Sequence, residues 1–157
     1  MAAAVNIGQP FTDASGDRLR DWLGFAPDVF YDASRVAIVP MGFCFPGTGP
    51  AGDLPPRPEC APQRRAKLLR EMPHLQLTLA VGQYAQAYHL PGSARPVTQV
   101  VQDWRTHWLH LVPLPHPSQR NNRWLRMNPW FEGELLTELK RRVAAVLAAV
   151  TPPPSPV

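Results

Sequence analysis

The stretch V-P-L-P-H-P-S-Q-R-N-N-R-W-L-R-M-N-P-W, from Val112 to Trp130, gathers polar, basic and aromatic residues behind a short apolar run. At its centre His116 stands between two prolines, which restrict the backbone on both sides of it. A histidine held in this way suits a pre-organised site, and the amide-rich, basic residues after it suit contacts with phosphates and bases. An ordinary proline-rich loop with a solvated histidine is the alternative that these residues alone leave open.

Working outward from that stretch, the composition indicates one globular domain. The chain has 157 residues, of which 45% are hydrophobic and 18% charged, so it carries enough apolar side chains for a core. The net charge of +4 weakly favours binding to polyanions. We expect the domain to occupy residues 1–150 and a proline-rich tail, T-P-P-P-S-P-V, to occupy residues 151–157.

The sequence also predicts a cytoplasmic protein with no membrane partner. No apolar run is long enough to cross a bilayer, and the N-terminus shows neither the basic nor the apolar region of a secretory signal. Two cysteines, Cys44 and Cys60, do not make a disulfide framework.

Three apolar runs, at residues 35–41, 75–81 and 109–114, predict buried strands that alternate with helical segments. This order implies an α/β fold, a three-layer sandwich with a central parallel sheet flanked by helices. In such sheets the ligand crevice lies at the carboxyl ends of the strands. Three features are expected there: the loop that contains Cys44, the pair Gly82-Gln83, and His116.

The helices carry recognisable start and stop signals. Asp13 or Ser15 can cap a helix that ends at Gly24, and Asn128 with Pro129 predicts the start of a long last helix. Between the elements, residues 25–34 and 42–62 are predicted loops, and residues 63–72 a helix that is basic on one side. The last helix is expected to bury an apolar stripe of Phe131, Leu135, Leu139, Val143, Val146 and Leu147.

Four segments together resemble the uracil-DNA glycosylase superfamily, specifically its bacterial members related to the iron–sulfur branch. They are G-Q-P-F-T-D-A-S-G-D-R-L-R-D-W-L-G at residues 8–24, C-F-P-G-T-G from Cys44 with Cys60 sixteen residues on, V-G-Q-Y-A at residues 81–85, and nearly all of the stretch from Val112 to Trp130. The segments cover most of residues 8–142. The last of them is the most specific.

The resemblance implies an enzyme that flips a damaged base, usually uracil, out of DNA and hydrolyses its N-glycosidic bond, on a four-stranded parallel sheet flanked by helices. Phe11 matches the aromatic residue that stacks on the base, although the residue type alone favours a core position. Gly42 and Phe43 are further expected base-binding residues. His116 matches the histidine beside a uracil carbonyl, where it would stabilise charge rather than act as a nucleophile.

The resemblance also implies a DNA-binding loop. Ser118, Gln119, Arg120, Asn121 and Asn122 match the loop that enters the minor groove and fills the place of the flipped base. Arg123 extends this basic run. Gly82 and Gln83 open a helix whose backbone amides could bind a phosphate, while tight strand–helix packing explains the glycine equally well. The expected partner is DNA that contains uracil or an abasic site, bound by a monomer.

Two departures from the family pattern bear on activity. The first glycine-rich motif, which positions the attacking water, has no counterpart before Phe11, so the chain is expected to be an N-terminally shortened member. The missing strand would leave a sheet edge exposed, and Asp13 and Asp17 are weak substitutes for a general base. Pro40 stands where the family usually has an asparagine that reads uracil, which leaves the preferred base open. A non-catalytic domain that binds DNA or abasic sites is the alternative function.

The cysteines raise the question of a metal cluster. In the iron–sulfur branch four cysteines hold a 4Fe-4S cluster, and Cys44 and Cys60 match the second pair of them. Two thiolates do not complete a four-ligand site. We therefore expect two free or buried cysteines and no cofactor required by this chain, while a full-length relative could carry the cluster.

Overall fold

The computed structural model describes residues 9–90, 92 and 95–150. They divide into two compact units, one formed by residues 9–37 and 116–150 and the other by residues 38–115. Gly8 of the first matching segment and the predicted tail at 151–157 lie outside the described residues. Within the described ranges, no helix has the length and apolar character needed to cross a membrane.

Helices are the commoner elements along the chain, and the strands are short. The helices are α1 (Ala14–Leu23), α2 (Pro27–Phe30), α3 (Ala66–Arg70), α4 (Gln83–His89), α5 (Val97–Gln102), α6 (Asn122–Met127) and α7 (Thr137–Ala149). The strands are β1 (Thr48–Gly49), β2 (Gly52–Asp53), β3 (Thr78–Val81) and β4 (Leu111–Leu114). π-Helical segments, Ala61–Arg65 and Phe131–Leu136, run into α3 and α7, and 3₁₀ turns occupy Trp104–Thr106 and Gln119–Asn121.

In the first unit, α1 begins and ends as the sequence predicts. The Asp13 carboxylate accepts a hydrogen bond from the Gly16 amide at 3.2 Å, which satisfies one of the free amides at the helix start. Gly24 ends the helix in the left-handed region, with φ 75°, where a glycine is favoured. The buried apolar side chains of α1 include Trp22, whose ring centre lies 5.0 Å from the ring centre of Phe131. This contact joins α1 to the start of the last helix.

The predicted stripe of the last helix is confirmed over most of its length. Phe131, Leu135 and Leu139 are fully buried, Val143 is buried, and residues 146 and 147 are half-buried. Asn128 does precede the helix, but its side chain does not cap an amide in the predicted way. Its Nδ2 donates to the Trp124 carbonyl at 2.8 Å and its Oδ1 accepts from the Trp130 indole at 3.2 Å.

In the second unit, β3 and β4 form a parallel pair in the register Thr78–Leu111 to Val81–Leu114. The predicted strands at 75–81 and 109–114 are therefore confirmed in shorter form. Ala80, Val112 and Leu114 are fully buried, and α4 and α5 pack on this sheet. The paired strands end together, since the Gly82 amide donates to the Leu114 carbonyl at 2.9 Å.

The predicted strand at residues 35–41 is wrong. These residues form no strand, and the carbonyls of Val39 and Pro40 accept hydrogen bonds from the Arg65 guanidinium instead of from a neighbouring strand. Pro40 also lacks the N–H that a ladder needs. The α/β class is thus confirmed in part, because the described residues form both helices and small sheets, while the predicted three-layer sandwich is not confirmed.

The two predicted loops each contain a short regular element. Pro27 opens α2 inside residues 25–34, where its fixed φ suits the first helical turn. Inside residues 42–62, β1 pairs with β2 in an antiparallel hairpin. The predicted basic helix at 63–72 begins two residues earlier, at Ala61, and ends at Arg70.

Candidate functional site

Phe11 is held in a backbone conformation that its side chain disfavours. Among the described residues it is the non-glycine residue with positive φ, at 60°. Its carbonyl accepts a hydrogen bond from Arg20 Nη1 at 3.0 Å, and the Tyr31 hydroxyl shares its one hydrogen between the Pro10 carbonyl at 2.8 Å and the Phe11 carbonyl at 3.0 Å. Such a conformation costs about 1–3 kcal/mol and persists only where the surroundings determine it. The strained position of Phe11 is therefore fixed from outside by two donors.

Gly16 provides the third constraint on Phe11. A Cβ atom added to Gly16 would lie 1.7 Å from the Phe11 carbonyl oxygen, so any other residue would displace that oxygen. Gly16 is buried in the first turn of α1. Close approach between helix and carbonyl thus requires glycine here.

The Phe11 ring is half-buried rather than part of the core. It meets the edge of the Phe30 ring at 6.2 Å and 87°, and part of it is left accessible. The accessible part is compatible with stacking on a base, and the stacking role stays a prediction.

Arg20 is a site-forming residue that the sequence analysis missed. It is buried on the inner side of α1, bonded to Asp17 at 2.7 Å, and its guanidinium lies 5.3 Å from the centre of the Phe30 ring. The sequence signal that could have identified Arg20 is its position one turn before Leu23, on the apolar side of the helix. Its donors reach the Phe11 carbonyl, which no periodic pattern indicates.

The role of His116 as a donor to the base stays a prediction, but its hydrogen bonding within the loop bears on which ring nitrogen is protonated. The Ser118 amide donates to His116 Nδ1 at 3.2 Å, so Nδ1 is the unprotonated nitrogen and Nε2 carries the hydrogen. Burial lowers the pKa of His116, and the carboxylate of Asp13 opposes that shift. The residue as a whole is exposed, so its desolvation is partial, and the tautomer follows from the hydrogen bond rather than from the pKa.

The loop that follows His116 is tied to α1 by Arg18, a second residue that the sequence analysis missed. Arg18 Nη1 donates to the carbonyls of Pro117 and Ser118 at 3.3 and 3.2 Å, and its Nη2 donates to Asn122 Oδ1 at 2.8 Å. Asn121 closes the loop from within by donating to the His116 carbonyl at 2.7 Å. Helix α1 therefore carries the arginines that hold both the Phe11 and the His116 segments.

The predicted DNA-binding loop lies in the same unit and is largely exposed. Ser118 caps its 3₁₀ turn by accepting a hydrogen bond from the Arg120 amide at 3.2 Å. Gln119, Arg120 and Arg123 are exposed. The side-chain amide of Asn121 is bonded to the His116 carbonyl and that of Asn122 to Arg18 of α1, and contact of this loop with DNA stays a prediction.

The remaining predicted site residues belong to the second unit. Gly42 is half-buried against Pro56, whereas the Phe43 side chain is 40% exposed. Gly82 is buried with φ 84°, a conformation that requires glycine, and Gln83 is exposed at the start of α4. Since the Gly82 amide is bonded to Leu114, the strand–helix packing explanation of this glycine is supported.

The cysteines do not fit a four-ligand cluster. Cys44 is exposed, Cys60 is half-buried, and both are free thiols. Residues 9–90, 92 and 95–150 contain no group of three or more side chains of the kinds that could hold a metal ion. Two thiolates fall short of the four that a 4Fe-4S cluster takes, so no chemistry in this chain is assigned to one. That the chain requires no cofactor stays a prediction.

Arg65 is the third arginine that the sequence analysis missed. It is only 5% exposed, and Nη1 donates to the carbonyls of Val39 and Pro40, just before Gly42. Its Nη2 lies 2.9 Å from His89 Nε2. Because a guanidinium can only donate, that nitrogen must accept and His89 is neutral. Burial first, and the Arg65 charge second, lower the pKa of His89.

In the first unit, arginines of the single helix α1 thus hold both the segment of Phe11 and the loop of His116. A family model described as the Uracil DNA glycosylase superfamily matches residues 2–140, and the chain belongs to that superfamily. Its members are typically glycosylase hydrolases. The resemblance drawn from the four sequence segments is confirmed.

Proposed function

We propose that this chain is a DNA glycosylase that hydrolyses the N-glycosidic bond of uracil or a related deaminated base flipped out of DNA. The observation that carries the proposal is the neutral His116, whose Nδ1 accepts from the Ser118 amide and whose Nε2–H is left to donate. A base must leave the duplex before its sugar bond can be reached. Family membership makes base excision the reaction to which such a donor belongs.

His116 would act on the leaving base. As the bond between the sugar and the base nitrogen lengthens, positive charge develops on the sugar and negative charge on the base. A fixed N–H donor at a base carbonyl stabilises that negative charge, and it needs no proton transfer of its own. Water then adds its oxygen to the sugar carbon and its proton ends on the released base, which leaves an abasic site.

Phe11 would hold the base by stacking. Stacking of an aromatic side chain is worth about 1–3 kcal/mol per base, and a ring whose backbone is already fixed loses little freedom on binding. The two donors on the Phe11 carbonyl and the close approach of Gly16 supply this fixation. Ser118 to Arg123 would contact the DNA strand, with the exposed Gln119, Arg120 and Arg123 as the main contributors.

A second candidate function, a non-catalytic domain that binds DNA or abasic sites, is favoured by the state of the two acidic residues near Phe11. Asp13 caps α1 and Asp17 is paired with Arg20. A carboxylate held in this way is poorly suited to deliver water. Pro40 supplies no side-chain amide for reading uracil, so the preferred base is open among deaminated bases.

The two functions separate in one experiment. The protein is incubated with single-stranded and duplex DNA that contains uracil, hypoxanthine or xanthine, and abasic sites are then cleaved with alkali. The proposal expects strand breaks at one of these bases. Salt-dependent binding to abasic DNA without any strand break would contradict the glycosylase and support the binding domain.

A further inference from the structure

The helical segment from Ala61 to Arg70 presents a row of cations to solvent. Arg64, Lys67 and Arg70 follow one another at intervals of three residues, and all three are exposed. Arg65, between the first two, is instead turned inward. We call Arg64, Lys67 and Arg70 the basic row. In the part of the chain that the structure describes, ion pairs join other residues and none includes a member of the row.

The basic row, like Arg123 and Arg126 on α6, lacks an acidic residue three positions earlier, whereas three other arginines have one. Arg20, Arg35 and Arg141 each have an acidic residue three positions earlier and are paired with it. In the row, by contrast, each residue has another cation at that distance. Like charges one turn apart destabilise a helix by a few tenths of a kcal/mol. The row therefore works against the helix that carries it, which points to a role outside folding.

The surroundings of the row fit an extended anion. Its three side chains line an open face of the helical segment together with Pro62, Gln63 and Ala66. All six lining residues are basic or neutral. The side chains of Arg64, Lys67, Arg70 and Gln63 are hydrogen-bond donors, and guanidinium groups bind phosphate with paired hydrogen bonds.

The length of the row matches a nucleic-acid strand. Six residues of helix rise about 9 Å, and phosphates of one strand follow at about 3.4 Å along the axis. Along the axis of a duplex the row therefore covers about two to three nucleotide steps, enough for its three cations to reach different phosphates.

We propose that Arg64, Lys67 and Arg70 bind the phosphate backbone of a nucleic-acid strand, in addition to the residues from Ser118 to Arg123. This contact does not depend on the base sequence, and it adds to the affinity for the nucleic-acid strand. It requires DNA binding but not base excision, so it goes beyond the proposed function and holds equally for a binding domain.

The test uses a triple variant, Arg64→Gln, Lys67→Gln and Arg70→Gln, and measures affinity for a uracil-free single-stranded oligonucleotide by fluorescence anisotropy. Between about 50 and 200 mM salt, each phosphate contact contributes about 0.7 to the slope of log affinity against log salt. The triple variant should lose about 2 from that slope. The single variant Lys67→Gln should lose about 0.7 and serves if the triple variant does not fold.

The matched control removes the same net charge elsewhere, with Arg35→Gln, Lys140→Gln and Arg141→Gln, and should keep the wild-type slope. Equal losses of salt slope in the two triple variants would show that the effect comes from net charge alone. That result would overturn the proposal. An unchanged slope in the basic-row variant, or a wild-type protein that does not bind the oligonucleotide, would overturn it as well. The proposal would also be overturned if the basic-row variant lost binding to phosphatidylglycerol vesicles while its salt slope for DNA stayed unchanged. A protein that binds through the row but releases no base contradicts the glycosylase alone.

Discussion

Phe11 and Phe43 are both expected to meet the flipped base, yet the two regions of the molecule hold them in different ways. The Phe11 backbone is locked at a positive φ by Arg20, Tyr31 and Gly16. Phe43 lies in a loop between Gly42 and the free, exposed Cys44, and its own side chain is 40% exposed. The resemblance assigns stacking on the base to Phe11, Phe43 is expected only to contact the base, and the hydrogen bonds described above fix only the Phe11 backbone. We therefore expect base recognition to depend on the region held by α1.

His116 should show the largest effect of any residue in that region. Replacing it with alanine removes the donor to the leaving base, and the loss of one such donor costs about 10²–10³-fold in rate. Single-turnover excision from uracil-containing DNA measures this. His74→Ala, at an exposed histidine of the other unit, is the control and should leave the rate unchanged. Equal rates for the two variants would remove His116 from the mechanism.

The contrast between the phenylalanines is tested by comparing Phe11→Ala with Phe43→Ala. Loss of stacking on the base should lower excision by Phe11→Ala about 10–100-fold, corresponding to about 1–3 kcal/mol. Phe43→Ala should change the rate by less than about 3-fold, because an exposed ring in an unclamped loop is not fixed against the base. Similar losses in the two variants would show that the clamp around Phe11 is irrelevant to recognition.

Gly16→Ala tests the clamp without altering the ring. The added methyl would meet the Phe11 carbonyl oxygen at 1.7 Å and force it away. Overpacking of this kind costs about 1–3 kcal/mol of unfolding free energy, which denaturant titration measures. Gly133→Ala is the matched control, since nothing lies within 4 Å of its added methyl. It should leave stability unchanged or raise it by up to about 1 kcal/mol.

Arg18→Gln should loosen the His116 loop while leaving Phe11 in place. The variant loses two hydrogen bonds to loop carbonyls and one to Asn122. Since these bonds are partly exposed, we expect a loss of about 10-fold in the rate of excision, or about 1.4 kcal/mol. The fall should appear in kcat more than in KM, with Arg123→Gln as a control that affects DNA binding. A change in KM alone would assign Arg18 to binding rather than to positioning.

The smallest expected effect is a dependence of stability on pH that originates mainly in the second unit. The pKa of His89 is lowered in the folded protein by burial and by Arg65, so the unfolded chain binds a proton more readily. The free energy of unfolding should be highest above pH 6.5 and should fall as the pH drops below that value. His89→Gln keeps an acceptor for Arg65 and should flatten the profile, with His116 and, at lower pH, Asp32 contributing to what remains. An unchanged profile would show that His89 is not neutral in the fold.

Local signals in the sequence predicted the elements that depend on neighbouring residues. Asp13 and Gly24 bound α1 as expected, and the buried stripe from Phe131 to Val143 follows helical spacing. The segment at 35–41 failed because a strand needs a partner, which its own apolar residues cannot specify. Its carbonyls found Arg65 instead.

The sequence predicted the chemical groups of the candidate site but not the arginines that hold them in place. His116 and Phe11 were visible because the matching segments carry them. Arg18 and Arg65 were missed because their partners are mainly backbone carbonyls distant along the chain. A carbonyl is present at every residue, so its use by an arginine leaves no mark in a sequence pattern.

The protonation of the two His116 ring nitrogens tests the central claim most directly. In ¹⁵N-detected histidine NMR at neutral pH, we expect a protonated Nε2 and an unprotonated Nδ1 that accepts from the Ser118 amide. This is the form that can donate to a leaving base. A signal that shows Nδ1 protonated, or both nitrogens protonated, would contradict it.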